Sequence, residues 1–348
     1  MTKIIREGGA LNVKQIDPNT IEANVSVPAD ADGRHARTCP NPTCSPGYFK
    51  VRLGTGIVGG QTQAFCPYCR HDAEPGDFIT EEQKRYAIDS LMGHVADGFV
   101  DSLADSLGLG AGRKRRYGGG FLFIEMSFEK GRPPPVRLPL EEKVRRDLVC
   151  PHCGLDHSVY GLATWCADCG RDIFLEHVFA ELRVVKTMLD DIPRREEMFG
   201  ARVAGKDLEN CLEDVVSIFE AVLRVLVRRT LCARGMPLAD IEETFRKTIR
   251  NGFQSVGRTV ELVQSLIALD LAQTVPAGDI GGLASIFEKR HPITHNLGVV
   301  DRKYLEKAHG AEAEGREITI SAWEIERAMA LSRDIFGALH ALVVEGNA

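Results

Sequence analysis

Arg290, His291 and His295 place one permanent cation and two imidazoles within six residues of an otherwise apolar stretch. A guanidinium stays charged at any physiological pH and offers a fork of donors that matches phosphate oxygens. An imidazole titrates near neutrality and can take or give a proton. Together they could neutralise charge on a phosphate and move a proton beside it. Blander roles are open to the same residues. Arg290 can pair with Glu288 or with a helix C-terminus, and His295 can be a buried, hydrogen-bonded histidine. His291 and His295 have metal-ligand spacing, but no glutamate stands beside them in the His-Glu-x-x-His order of hydrolytic zinc.

The cysteines carry a second chemistry. Cys150-Pro-His-Cys153 and Cys166-Ala-Asp-Cys169 form two tight turns, each followed by glycine at Gly154 and Gly170. A Cys-x-x-Cys turn aims two sulfurs at one point, the glycine lets backbone amides face them, and two turns complete a tetrahedral thiolate shell. Upstream, Cys39 and Cys44 with Cys66 and Cys69 repeat the scheme with a wider first turn, still within zinc-binding spacing. The expectation is two structural Zn2+ ions in closed sites with no position left for water. A redox role is disfavoured because each set holds two matched pairs. His71, His152 and His157 lie close by and are read as surface or neighbouring histidines, since four thiolates already suffice. Cys211 and Cys232 stand alone in apolar helical stretches and are expected to be buried.

The elements that must position these groups divide into two characters. Before Asp172 the pattern is of short strands and turns, with Ile21 to Val27 alternating weakly. One long helix is expected from Thr80 to Leu107, opened by a Thr80 and Gln83 capping box and packed on the ribbons through Ile88, Leu91, Met92, Val95, Phe99 and Leu103. Gly108 to Gly120 reads as a loop bearing Arg113-Lys114-Arg115-Arg116, and Phe121 to Phe128 as a strand ended by Pro133-Pro134-Pro135. After Ile173 helical periodicity dominates: about 175–191, 206–234, 238–251, 259–273, 280–290 and 322–344. On an ideal helix Arg290 and His295 diverge by about 140°. Pro292 disfavours helical geometry at His291, so a bend between the two residues is expected to turn both side chains into one cleft.

Arg290-His291-Pro292-Ile293-Thr294-His295, followed by Val299-Val300-Asp301-Arg302-Lys303-Tyr304-Leu305, resembles the HEPN family. These are helical bundles of higher eukaryotes and prokaryotes, many of them ribonucleases of toxin, antiphage and RNA-guided defence systems. The resemblance covers about residues 206–345. It implies that Arg290 and His295 are catalytic, that His291 fills the polar position after the arginine, and that an acid on an earlier helix, best matched by Glu220, supports the histidine. It further implies metal-independent cleavage to a 2',3'-cyclic phosphate and a homodimer that pairs two motifs in one cleft. Arg224, Arg228, Arg229, Arg246, Lys247 and Arg250 are candidates for an RNA path, or for solvated helix faces.

With 348 residues, 44% of them hydrophobic, the chain exceeds one modest core, and its net charge of -6 argues against wholesale coating of nucleic acid. No apolar stretch suits a signal peptide or a membrane helix, so a cytoplasmic protein is expected. The reading is an α+β, mainly α chain: strands and a first zinc ribbon over 1–79, a connecting helix, basic loop and strand over 80–147, a second ribbon over 148–173, and an antiparallel helical bundle over 174–348. Its function is read as endoribonuclease, a toxin or antiphage effector whose ribbons meet a regulatory RNA or protein. The alternatives are a non-catalytic nucleotide- or RNA-binding bundle, or a zinc-ribbon adaptor.

Overall fold

A computed structural model describes residues 11, 14–17, 20–106, 115–117, 124–126, 145–308 and 312–345. The chain is mainly helical and divides into two compact units, the first holding residues 1–161 and 165–172, the second 162–164 and 173–348. Among the described residues no helix is long and apolar enough to cross a membrane.

In the first unit a hairpin of β1 (Lys14–Asp17) and β2 (Thr20–Glu22) precedes β3 (His35–Thr38) and β4 (Tyr48–Val51). Then come β5 (Ala64–Phe65), β6 (Asp72–Ala73) and the helix α1 (Glu81–Ser106). A two-stranded pair, β7 (Arg115–Tyr117) and β8 (Ile124–Met126), leads to β9 (Arg146–Val149) and β10 (Asp156–Val159). The expected Phe121–Phe128 strand is seen over Ile124–Met126. The rest of the basic glycine-rich stretch and Pro133–Pro135 lie outside the described residues.

The two ribbons are not separate modules, as the spacing suggested; they share one antiparallel sheet in the order β3-β4-β10-β9. That order reads the same from either end, because β4 and β10, the second strand of each cysteine hairpin, lie side by side with Lys50 opposite Ser158. The second cysteine turns meet in the same reciprocal way. Phe65 N–H donates to the Ala167 carbonyl (2.8 Å) and Trp165 N–H to the Pro67 carbonyl (3.1 Å). Each of these donors immediately precedes the first cysteine of its turn, and each acceptor immediately follows one. A duplicated zinc pattern has thus become a local two-fold axis.

Three expectations need correction here. The capping box of α1 forms, with the Thr80 N–H donating to Gln83 Oε1 and the Gln83 N–H to Thr80 Oγ1, but Ile88, Met92, Phe99 and Leu103 remain exposed rather than packed on the ribbons. Of the two readings open to His157, at the surface or beside the cysteine shell, the surface one falls, because the residue is buried in the middle of the sheet. Cys232 is exposed, whereas Cys211 is buried as expected.

The second unit contains α2 (Phe174–Phe199), α3 (Ala201–Ala233), α4 (Leu238–Thr244), α5 (Val256–Ile267), α6 (Ala277–Glu288), α7 (Arg290–Asn296), α8 (Arg302–Leu305) and α9 (Ala322–Glu345). Gly200, at φ 87, is the sole residue between α2 and α3, a conformation that favours glycine. The Arg195 to Asp207 ion pair (2.6 Å) spans that corner, so the two helices run antiparallel. Along α3, Leu212, Val215, Val216, Phe219, Val222, Leu223 and Leu226 recur at helical spacing and are all buried, which makes it the central rod of a single hydrophobic core. Phe219 meets Phe287 edge-on at 5.1 Å and Phe336 at 5.6 Å, tying α3 to α6 and α9.

Replacing Phe219 with alanine is expected to cost about 3–5 kcal/mol, because the aromatic contacts and the filled volume are lost together. A fall in the urea midpoint of the cooperative helical transition would register that loss, and an unchanged midpoint would contradict this placement of the core.

Candidate functional site

Pro292 decides where the helix breaks. A proline ring clashes with the carbonyl four residues earlier and offers no N–H to it. That carbonyl belongs to Glu288, where α6 stops; Lys289 forms the joint and α7 starts at Arg290. Pro292 then sits in the first turn of α7, where a missing N–H leaves no helical bond unmade. The interruption therefore falls before Arg290 and not between Arg290 and His295; Lys289 itself keeps helical dihedrals (φ -58, ψ -25), and His291 is helical, contrary to the sequence expectation.

The joint is held from below. Lys289 Nζ donates to Glu324 Oε1 (2.7 Å) and to the Thr319 carbonyl (2.8 Å), with Glu312 at 3.9 Å. Burial of Pro292 and Ile293 fixes the inner side of α7. At its far end Leu297 takes a left-handed conformation (φ 53), and the Gly298 N–H closes the turn on the Pro292 carbonyl (2.9 Å).

With its inner side buried, α7 turns a polar arc outward. At 100° per residue, Arg290, Thr294, His291 and His295 follow one another at about 0°, 40°, 100° and 140°. Arg290 and His291 are partly exposed and Thr294 and His295 exposed, so the candidate residues share one solvent-reachable arc, with the arginine and the outer histidine at its two edges.

Each edge has its own partners. Arg290 Nη2 donates to Gln254 Oε1 (2.8 Å), and Nη1 lies 3.5 Å from Glu213 Oε2. The other oxygen of Glu213 accepts from the Thr294 hydroxyl. Gln254 Nε2 donates to Glu220 Oε2 (2.7 Å), whose Oε1 accepts from Arg224 (3.0 Å). The Gln254 amide can face only one way, since reversal would set its NH2 against the guanidinium and its oxygen against a carboxylate. Glu220 is thus linked to the arginine through Gln254, not to the histidine as the resemblance implied.

On the other edge, the rings of His291 and His295 are 5.0 Å apart, and His291 Nε2 lies 3.6 Å from Asp301 Oδ2. Asp301 caps α8 through the Tyr304 N–H (2.8 Å) and accepts from Asn296 (2.7 Å). The Tyr304 N–H and the Asn296 amide hold its carboxyl below the usual range. Burial and then the Lys303 ammonium hold His291 below an ordinary imidazole pKa despite the Asp301 charge, so near neutral pH it is an uncharged acceptor. The sequence reading pointed to neither Gln254 nor Glu213, and to Asp301 only as part of the stretch that follows the motif. Gln254 lies in a short turn between α4 and α5, and no periodicity marks it.

The wider basic set is largely spoken for: Arg228 pairs with Glu242, Lys247 with Glu243, and Arg229 stacks over Phe174.

All eight paired cysteines converge. Cys39, Cys44, Cys66 and Cys69 form one quartet and Cys150, Cys153, Cys166 and Cys169 the other, with sulfurs within 4.8 Å of one another. The closest approaches are Cys39 to Cys69 (3.7 Å), Cys44 to Cys66 (3.6 Å), Cys150 to Cys169 (3.8 Å) and Cys153 to Cys166 (3.6 Å). A tetrahedral ion with bonds of about 2.3 Å to sulfur has sulfur–sulfur edges of about 3.8 Å. Backbone N–H groups of Tyr68, His152 and Asp168 point at Cys66, Cys150 and Cys166. Burial pushes Cys66 and Cys166 well up, Cys44 up to about 12 and Cys153 up to about 11. Four thiolates at such spacing require a cation to offset one another. His71 and His152 are exposed and stay outside both quartets.

Comparison with models of protein families, with curated proteins and with solved structures found no match to this chain.

Metal analysis of the purified chain is expected to find two ions per molecule, and Cys166→Ala should lower that to one, since an incomplete shell holds its ion poorly. Two ions retained in the variant would refute this quartet.

Proposed function

We propose that this chain is a metal-independent endoribonuclease whose reacting groups lie on the outer arc of α7. The observation that carries the reading is the arc itself: Arg290 and His295 are solvent-reachable on one short helix, with a partly buried hydrogen-bonded network behind the arginine. His295, as general base, removes the proton from a 2'-hydroxyl, and the freed oxygen attacks the adjacent phosphorus. Arg290 neutralises the growing charge on the phosphoryl oxygens. A second imidazole returns a proton to the departing 5'-oxygen, leaving a 2',3'-cyclic phosphate and a 5'-hydroxyl. RNA brings the nucleophile, so the ions of the quartets take no part.

Divergence of Arg290 and His295 around α7 by about 140° argues that one copy does not serve one phosphate alone. A homodimer that faces two arcs across a two-fold axis supplies both arginines and both histidines to a shared cleft. Glu213 and Gln254 hold the guanidinium in readiness, and Glu220 acts through Gln254. The cysteine quartets take Zn2+, which four thiolates in tetrahedral array favour, and serve to hold the shared sheet together.

Zinc-loaded protein incubated with RNA, without added metal, should release cyclic-phosphate ends. His295→Ala and Arg290→Ala should each lower the rate by about 100-fold or more, the usual cost of losing a proton-transfer or charge-stabilising group. Cleavage that persists undiminished in both variants would refute the assignment, and a solution mass of one chain would remove the shared cleft.

A further inference from the structure

The histidine edge of α7 has a chemistry besides proton transfer. His291 and His295 are one helical turn apart, their ring centres separated by 5.0 Å and their planes inclined at 52°. Two imidazoles on one tetrahedral ion, with bonds of about 2.0–2.1 Å, bring their ring centres to about 5 Å. Asp301 Oδ2 stands 3.6 Å from His291 Nε2, close to the edge of about 3.4 Å in such a tetrahedron. Asp301 is preset as a third donor, because the Tyr304 N–H fixes one oxygen and the Asn296 amide the other.

We propose that His291, His295 and Asp301 form a binding site for a divalent transition metal, separate from the cysteine quartets. Imidazole and carboxylate donors suit Ni2+, Cu2+ and Zn2+. Three protein donors leave a fourth position to water, so the site is open where the quartets are closed. Among the described residues only the quartets have their ligand atoms already gathered within 4.8 Å. Entry of the ion therefore requires His295 to turn towards His291, and its exposure permits a change of rotamer. Given the nuclease reading, the consequence is inhibitory: an ion on the His295 lone pair occupies the position that would accept the 2'-hydroxyl proton.

Calorimetric titration of zinc-loaded full-length protein with NiCl2, in the absence of RNA, tests the site whether or not the chain is a nuclease. One Ni2+ per chain should bind beyond the two zinc ions, with native mass spectra showing all three together. His291→Gln and His295→Gln should each weaken it about tenfold or more. Asp301→Asn, which keeps an oxygen to cap α8, should weaken it less, and His94→Gln on α1 should leave it unchanged. No binding heat, equal affinity in His295→Gln, or nickel that enters only by expelling zinc would overturn the proposal. Nickel binding by a chain that cuts no RNA would support the site and refute the nuclease; RNA cut at full rate with nickel saturated would overturn the inhibitory consequence.

Discussion

The clash between the Pro292 ring and the Glu288 carbonyl governs what the helical unit presents to solvent. At Lys289 the helical bonding is interrupted while the dihedrals stay helical, and the residue is tied in place because its ammonium donates to Glu324 and to the Thr319 carbonyl. Ile293 then sinks into the core and Thr294 reaches Glu213 on α3. A short helix of seven residues has little stability of its own. It exists here because both ends are tied, at Lys289 on one side and through Gly298 and Asp301 on the other.

That construction separates duties on neighbouring faces. The arginine faces α3 and the turn before α5, where carboxylates and an amide hold it still. His291 faces α8, where the Asp301 carboxylate and the lysines Lys303 and Lys307 set its environment. Under the proposed nuclease reading the division matters chemically, since a cation that is to meet phosphate must be oriented without being cancelled. Glu213 lies at 3.5 Å from Arg290, longer than a tight charge-assisted bond, and the shorter contact is to the neutral amide of Gln254.

The first unit solves a different problem. Each cysteine quartet alone would organise only a pair of small turns with little apolar surface. Joining β4 to β10 gives both quartets a common four-stranded sheet, closed on the other side by the reciprocal amide bonds of Phe65 and Trp165. The symmetry is visible even in its exceptions. Arg70 (φ 62) and Gly170 (φ 61) hold the same left-handed position after their turns; a Cβ at Gly170 would stand 2.9 Å from the Phe65 ring, whereas the Arg70 side chain lies over Trp165.

The sequence by itself determined what depends on local spacing. The cysteine pairs named their own partners, the 3.6-residue period marked the longer helices of the second unit but not α7 or α8, and Pro292 announced a break. It could not determine what would hold the residue at that break, because Glu324, the carboxylate that Lys289 meets, is remote in sequence. Nor did it show that two ribbons would share a sheet, since a strand's choice of neighbour is settled by edges that become available only when the chain is folded. Glu220 was read as the histidine's support and stands behind the arginine, because Gln254 comes between them. Tertiary structure alone made that decision: a side chain's partners are fixed by distances in space, and sequence spacing reports them only within a turn or two of the same helix.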